Sequence, residues 1–276
     1  MRFWKIAIAL ITTLILTVLT QIGGLVFLAS LLTYRIIDKR VDRHWARAGV
    51  KVFSFLLLYL VSVFIIVPLM AKPLGRVQLP LFRERNLQPG TIWTFLLCRN
   101  YVRPPLRELA FEVADKMSAE FPGTVLNYLD ANFPFIDKFP LLPHRSHNDG
   151  KKLDISFPYI DKVTGKLTGD LPSFIGYGIC EAPMANEENM TELCDKRGYW
   201  QYSLLQRIVP QKNKHKFEFD GKRTKRLVNL FAEQQEIGMI FIEPHLKTRL
   251  GLTTNKIRFH GCQAVRHDDH MHVQLR

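Results

Sequence analysis

Residues 144–157 read His144-Arg-Ser-His147-Asn-Asp-Gly-Lys-Lys-Leu-Asp154-Ile-Ser-Phe157, and the fold is decided here. From Leu153 to Phe157 apolar and polar side chains alternate, which puts Leu153, Ile155 and Phe157 on one face of a strand and Asp154 with Ser156 on the other. Asn148-Asp149-Gly150 supplies turn chemistry ahead of the strand, so the backbone can fold back and carry His147 towards Asp154. On a straight helix the two would be separated by about 10 Å of rise, too far to share one ion. A second stretch, His267-Asp-Asp-His270-Met-His272, leads into the alternation of a terminal strand, His270 to Leu275, with His270 and His272 projecting from one face.

Working outward, Leu109, Ala110, Val113, Ala114 and Met117 recur at helical spacing between Arg107 and Phe121, and Pro122-Gly123 stops that helix. Thr124–Leu129, Ser173–Ile179 and Met239–Glu243 read as strands, Thr224–Glu236 and Pro244–Leu250 as helices, and the basic run Lys212–Lys225 as a solvated hairpin. Helices and short strands mix without a regular βαβ period. The expected class is therefore α+β with a largely antiparallel sheet carrying the metal site.

The first part of the chain is different in kind. No charged residue occurs from Ile6 to Leu32 or from Val52 to Ala71, and a hydrocarbon core about 30 Å thick needs roughly 20 helical residues. Two transmembrane helices are expected, the first too long for a signal peptide, whose apolar region covers about 7–15 residues. Gln21 with Gly23 and Gly24 interrupts the first run and marks either a helix–helix contact or slack. Arg35, Lys39, Arg40, Arg43, Arg47 and Lys51 lie between the runs, so the loop should stay cytoplasmic and both termini face outward; Lys72, Arg76, Arg83 and Arg85 pull the other way. The organisation read from this is a membrane anchor over 1–72, a proline-punctuated linker leading into the domain over 73–116, and a catalytic domain over 117–276.

Among the 276 residues 47% are apolar and the net charge is +13, which excludes a wholly disordered chain. Much of the positive charge flanks the apolar runs and shows no aromatic–basic interleaving, so nucleic acid is not an expected partner; the bilayer is. Cys98, Cys180, Cys194 and Cys262 lack the short paired spacings of a zinc ribbon. In a domain outside the cytosol they suit disulfides, Cys180 with Cys194 and Cys98 with Cys262, the alternative being buried free thiols.

His147, Asp154 and one imidazole of the second cluster make an N/N/O set of three protein ligands. That leaves a position for water, as in catalytic rather than structural zinc sites, and implies hydrolysis. His44, His215, His245 and His260 receive no role.

Ser146-His147-Asn148-Asp149-Gly150 with Asp154 and Ile155, followed by His267-Asp268-Asp269-His270-Met271-His272-Val273, resembles the paired motifs of penicillin-insensitive murein endopeptidases. That group is allied to lysostaphin-type and D-Ala-D-Ala metallopeptidases, and the similarity covers roughly residues 120 to 276. It implies Zn2+ on His147, Asp154 and His272, with His270 as catalytic imidazole and His267 as a second active-site histidine. Asp268 or Asp269 would orient an imidazole, and Arg145 could meet a substrate carboxylate. It also implies a domain outside the inner membrane of a bacterium, acting on peptidoglycan peptides as endopeptidase or D,D-carboxypeptidase. Two departures stand out: Lys151 and Lys152 occupy positions where the family carries Leu-Asp, and the known enzymes lack the two spans. The rival reading is a non-enzymatic membrane protein with a structural or sensory metal.

Overall fold

The computed structural model describes residues 2–276. Helix α1 (Arg2–Thr20) ends at Gln21, whose φ of 66° lies in the left-handed region, and α2 (Gly23–Arg40) returns antiparallel beside it. Thr20 Oγ1 accepts the Gly23 N–H at 2.7 Å and closes the turn. Glycine is needed at 24, because a Cβ there would sit 2.0 Å from Thr17 Oγ1 and 2.4 Å from the Thr13 carbonyl oxygen. The uncharged run from Ile6 to Leu32 is thus a hairpin and not one span, and Gln21, Gly23 and Gly24 are its turn and contact.

Helix α3 (His44–Val61) packs along α2, with Thr33 and Ser54 hydroxyls 2.9 Å apart, and continues through a π-helical turn, Ser62–Ile66, into α4 (Val67–Ala71). Two helices are long and apolar enough to cross a membrane, Phe3–Thr20 and His44–Leu74. Three antiparallel helices place the N-terminus differently from the two-span expectation. Lys5 lies close enough to Asp38 for its charge to act there, and Lys51 pairs with Asp38 at 2.6 Å, so N-terminus and basic loop share one end of the bundle. Gln21 is at the other end, accepting the Phe135 N–H at 2.8 Å from the C-terminal domain.

That domain begins earlier than the prolines imply. β1 (Val77–Gln78) pairs with β3 (Tyr101–Val102); between them lie β2 (Leu87–Pro89) and α5 (Ile92–Leu96), and α6 (Pro104–Glu120) follows. β2 joins the main sheet beside β4 (Leu126–Tyr128), and Leu106 to Met117 enter the core, so residues 77–116 are built into the domain.

β5 (Lys152–Ser156) follows, then a small sheet of β6 (Tyr159–Asp161), β7 (Leu167–Thr168) and later β8 (Phe217–Phe219). Helices α7 (Met190–Lys196) and α8 (Leu204–Ile208) come between β7 and β8, and α9 (Gly221–Glu233), β9 (Ile237–Phe241), α10 (Pro244–Arg249), β10 (Ile257–Arg258) and β11 (His270–Leu275) complete the chain. Helix α9 starts inside the stretch read as a hairpin because Asp220 caps it, its carboxylate accepting the Arg223 N–H at 2.9 Å.

The main sheet runs β10-β9-β11-β5-β4-β2. Its middle is antiparallel, but β10 on β9 and β2 on β4 are parallel. The fold is α+β with a mixed sheet, not a largely antiparallel one. Each parallel edge follows a helical crossover, α5 with α6 or α10, as parallel pairing requires. Leu153, Ile155, Met271 and Val273 face a core shared with α6 and α9. Each such buried side chain contributes about 1.5–3 kcal/mol. Asp154, His270 and His272 are left on the opposite face.

Cys194 on α7 is bonded to Cys262, with Cα atoms 5.3 Å apart, while Cys98 and Cys180 are free and buried. Both expected pairings are therefore incorrect. Cys98 is sealed against Val63, Val67 and Tyr101 where the helical bundle meets the domain, and α7 lies over the 259–262 loop.

Candidate metal centre

Register places the site. On the sheet face away from the core, His272 lies opposite Asp154 and His270 opposite Ser156. His147 arrives from the loop before β5, through the turn the sequence announces. Gly150 there has φ +82°, and a Cβ would stand 2.5 Å from Arg76 Nη1. His147 Nδ1 donates to the Ala131 carbonyl oxygen at 2.5 Å, so its Nε2 presents a lone pair. That Nε2 lies 2.9 Å from His272 Nδ1 and 3.2 Å from Asp154 Oδ1, and His272 Nδ1 lies 2.9 Å from the same Oδ1.

Three donor atoms thus form a small triangle. Ligands about 2.0–2.1 Å from a tetrahedral zinc stand about 3.3 Å apart, so this donor set suits a single divalent ion. The buried group His144, His147 and Asp154 can also hold a metal ion, its ligand atoms lying within 4.8 Å of one another. Nδ1 of His144, however, faces Asp130 Oδ2 at 3.1 Å and Asp154 Oδ2 at 3.3 Å. Between two carboxylates that nitrogen donates, so the lone pair of His144 lies on Nε2, which is buried and without a hydrogen-bond partner.

Asp154 is fully buried; burial would raise its pKa, but His147, His270 and His144 hold it well below the carboxylate range. Tyr177 donates to its Oδ2 at 2.9 Å and accepts the Asp130 N–H at 2.8 Å. The Ser173–Ile179 strand expected from sequence is absent because Gly176 and Gly178 both have left-handed φ, 84° and 87°. The bend aims Tyr177 at Asp154 and the Gly178 N–H at Asp269 Oδ2, 2.5 Å away.

Asp269 accepts from His270 Nδ1 with its other oxygen, leaving His270 Nε2 unpaired and 3.6 Å from Asp154 Oδ2. Burial would lower the His270 pKa, but Asp154 and Asp269 outweigh it and push it up to about 9. Burial lowers His272 to about 3, and burial with the neighbouring His270 and His272 holds His267 well below 6.5. Of the two candidate aspartates, Asp269 orients an imidazole; Asp268 pairs with Arg266, whose Nε lies 3.0 Å away.

His267 is fixed through its backbone N–H to Glu243 Oε1 at 3.0 Å. Tyr202 donates to the other oxygen at 2.5 Å, and burial pushes Glu243 up to about 7.

A 430 Å³ cavity opens over this floor, lined by His144, Ser146, His147, His260, His267 and His272, with exposed Arg145 at its rim. Lys151 and Lys152 do not line it: Lys151 reaches the Arg276 carbonyl at 2.8 Å and Lys152 pairs with Asp149 at 2.5 Å. His260, assigned no role from sequence, stacks on Phe241 at 4.1 Å and lies 5.3 Å from the His267 ring. His144 was visible in the first histidine cluster but received no role. Asp130 and Tyr177 carried no local signal and Glu243 was read only as the end of a strand, since each matters through a partner distant in sequence. No protein family and no curated protein matches this chain.

Proposed function

We propose that the chain is a membrane-anchored zinc metallopeptidase hydrolysing amide bonds in peptidoglycan peptides, as endopeptidase or D,D-carboxypeptidase. The observation that carries this reading is the triangle of His147 Nε2, Asp154 Oδ1 and His272 Nδ1 at the floor of an open cavity. The murein endopeptidase-like motifs supply the substrate class. Zinc bound there lowers the pKa of water towards about 7 and polarises a carbonyl oxygen.

The remaining work falls to side chains. Tyr177 and the opposed imidazoles fix the Asp154 carboxylate, and such supports set ligand aim. His270, held by Asp269, keeps a proton on Nε2 for the departing amine. His267 is uncharged and faces the cavity, where its N–H can steady charge developing on the carbonyl oxygen. A closed, structural metal would need a fourth protein ligand, and the candidate is His144 through its unpaired Nε2, so zinc bound without turnover in the test below would favour that reading.

Phe3–Thr20 and His44–Leu74 cross the inner membrane in this reading, with Lys5 and the basic loop on the cytoplasmic side and the domain outside. The Cys194–Cys262 disulfide agrees with an oxidising compartment. The test uses the full chain in detergent. Wild type should bind one zinc and release amine from muropeptides, and His147→Ala and His272→Ala should lose both. Wild type that binds zinc stoichiometrically yet cleaves no muropeptide would refute the peptidase reading.

A further inference from the structure

The membrane bundle and the domain meet at α5. Tyr59 of α3 donates to the Leu96 carbonyl at 2.6 Å, and Phe64 packs against Phe95 with ring centroids 6.2 Å apart. At 1.5 Å per residue, Tyr59 and Phe64 stand only about 12 and 20 Å above Lys51, the last charge before the apolar stretch. Both levels fall within a hydrocarbon core about 30 Å thick. On that scale α5 lies about the middle of the core, and its Ile92 and Trp93 are 56% and 46% exposed.

Behind Trp93 the surface is hollow. A 250 Å³ cavity there has Trp93, Leu97, Phe174 and Leu205 in its wall and is predominantly apolar, its charged members Arg99 and Asp130 being paired with each other at 3.2 Å. Pro143 and Leu205 also line a 480 Å³ cavity, which adds Trp200 and a polar set of Arg145, Gln201 and Gln263. Pro143, Arg145 and Gln263 in turn line the cavity over the metal centre. The three hollows follow one another from that depth, apolar first and polar last.

Resting on the peptidase reading above, we infer that the substrate is a peptide tethered to a lipid, its hydrocarbon chain lying in the α5 groove while its amide reaches the metal centre. A phospholipid of the surrounding bilayer would account for the apolar end and a polar head group beyond it; the continuation of the hollows to the metal centre calls for an amide as well. Water adds across the amide, leaving a carboxylate and an amine, and only one of the two fragments remains tethered to the membrane.

The experiment places the full chain in nanodiscs of phosphatidylethanolamine and phosphatidylglycerol. The probe is a pentapeptide stem ending in D-Ala-D-Ala, carrying a palmitoyl chain with a terminal diazirine; the same stem without the chain is the comparison. Irradiation should label Trp93, Phe174 or Leu205, and KM should be about tenfold lower for the tailed stem, equivalent to burying roughly two methylenes. Phe174→Ser, at a side chain 65% exposed, and Trp93→Ser should each cut groove labelling about tenfold with bound zinc retained. Label confined to α1–α3, or equal KM for both stems, overturns the inference. A labelled groove with neither stem cleaved upholds the lipid site and removes the peptidase reading instead.

Discussion

At Tyr177 a single hydroxyl joins Asp130 to Asp154, so its removal separates support of the centre from the centre itself. Tyr177→Phe should lower zinc affinity about 10–100-fold, measured by chelator competition, while the chain stays folded. His270→Ala should retain the ion but reduce turnover about 10²–10⁴-fold, the usual worth of a positioned proton donor. Glu243 gives a pH dependence. Its pKa rises from 4.5 to about 7 on folding, chiefly through burial. An acid shifted upward favours the fold below its unfolded pKa, and that advantage disappears as pH climbs from 4.5 to about 7, a change of about 3 kcal/mol. Urea unfolding of the chelator-treated protein at pH 5 and pH 8 should show the decline in wild type and a flatter profile in Glu243→Gln.

Among elements, the α1–α2 hairpin and the α7 staple are the most exposed to single changes. A larger side chain at 24 meets the Thr13 carbonyl, which is backbone and cannot turn aside. Gly24→Leu should therefore pry the helices apart, seen as a lower melting temperature of the detergent-solubilised chain than for Gly24→Ala. The Cys194–Cys262 bridge spans 68 residues and ties α7 to the loop that runs into Gln263 and Ala264 at the cavity wall. A bridge closing that length contributes about 4 kcal/mol in the chain-entropy account. Cys194→Ser should lower the unfolding midpoint accordingly and loosen the wall formed by 263–265, read as faster proteolysis there.

For the molecule as a whole, the seam between bundle and domain is apolar. Val63, Val67 and Ala71 from the helices bury Cys98 and Tyr101 of the domain, and Phe135 packs against the same cluster. A chain beginning at residue 73 would uncover that surface. It should self-associate and melt lower than the full protein, as size-exclusion chromatography and calorimetry would show, even though its catalytic residues are all present.

Local alternation and turn chemistry were enough to read β5 and β11 from sequence, because a strand with one buried face leaves a period of two that needs no knowledge of its neighbours. The same pattern put Asp154, His270 and His272 on polar faces, and Asn148-Asp149-Gly150 announced the bend that returns His147. Absence of charge showed that the first part of the chain is apolar. It could not show that the first run doubles back, since a hairpin and a long span share one composition; only Gly24 against Thr13 and Thr17 separates them. Disulfide partners, the parallel edges β2 and β10, the part taken by Tyr177 and Asp130, and the choice of Asp269 over Asp268 are properties of pairs far apart along the chain. Such pairs are fixed when the sheet and its crossovers bring backbones together, a long-range packing event that no short window of sequence contains.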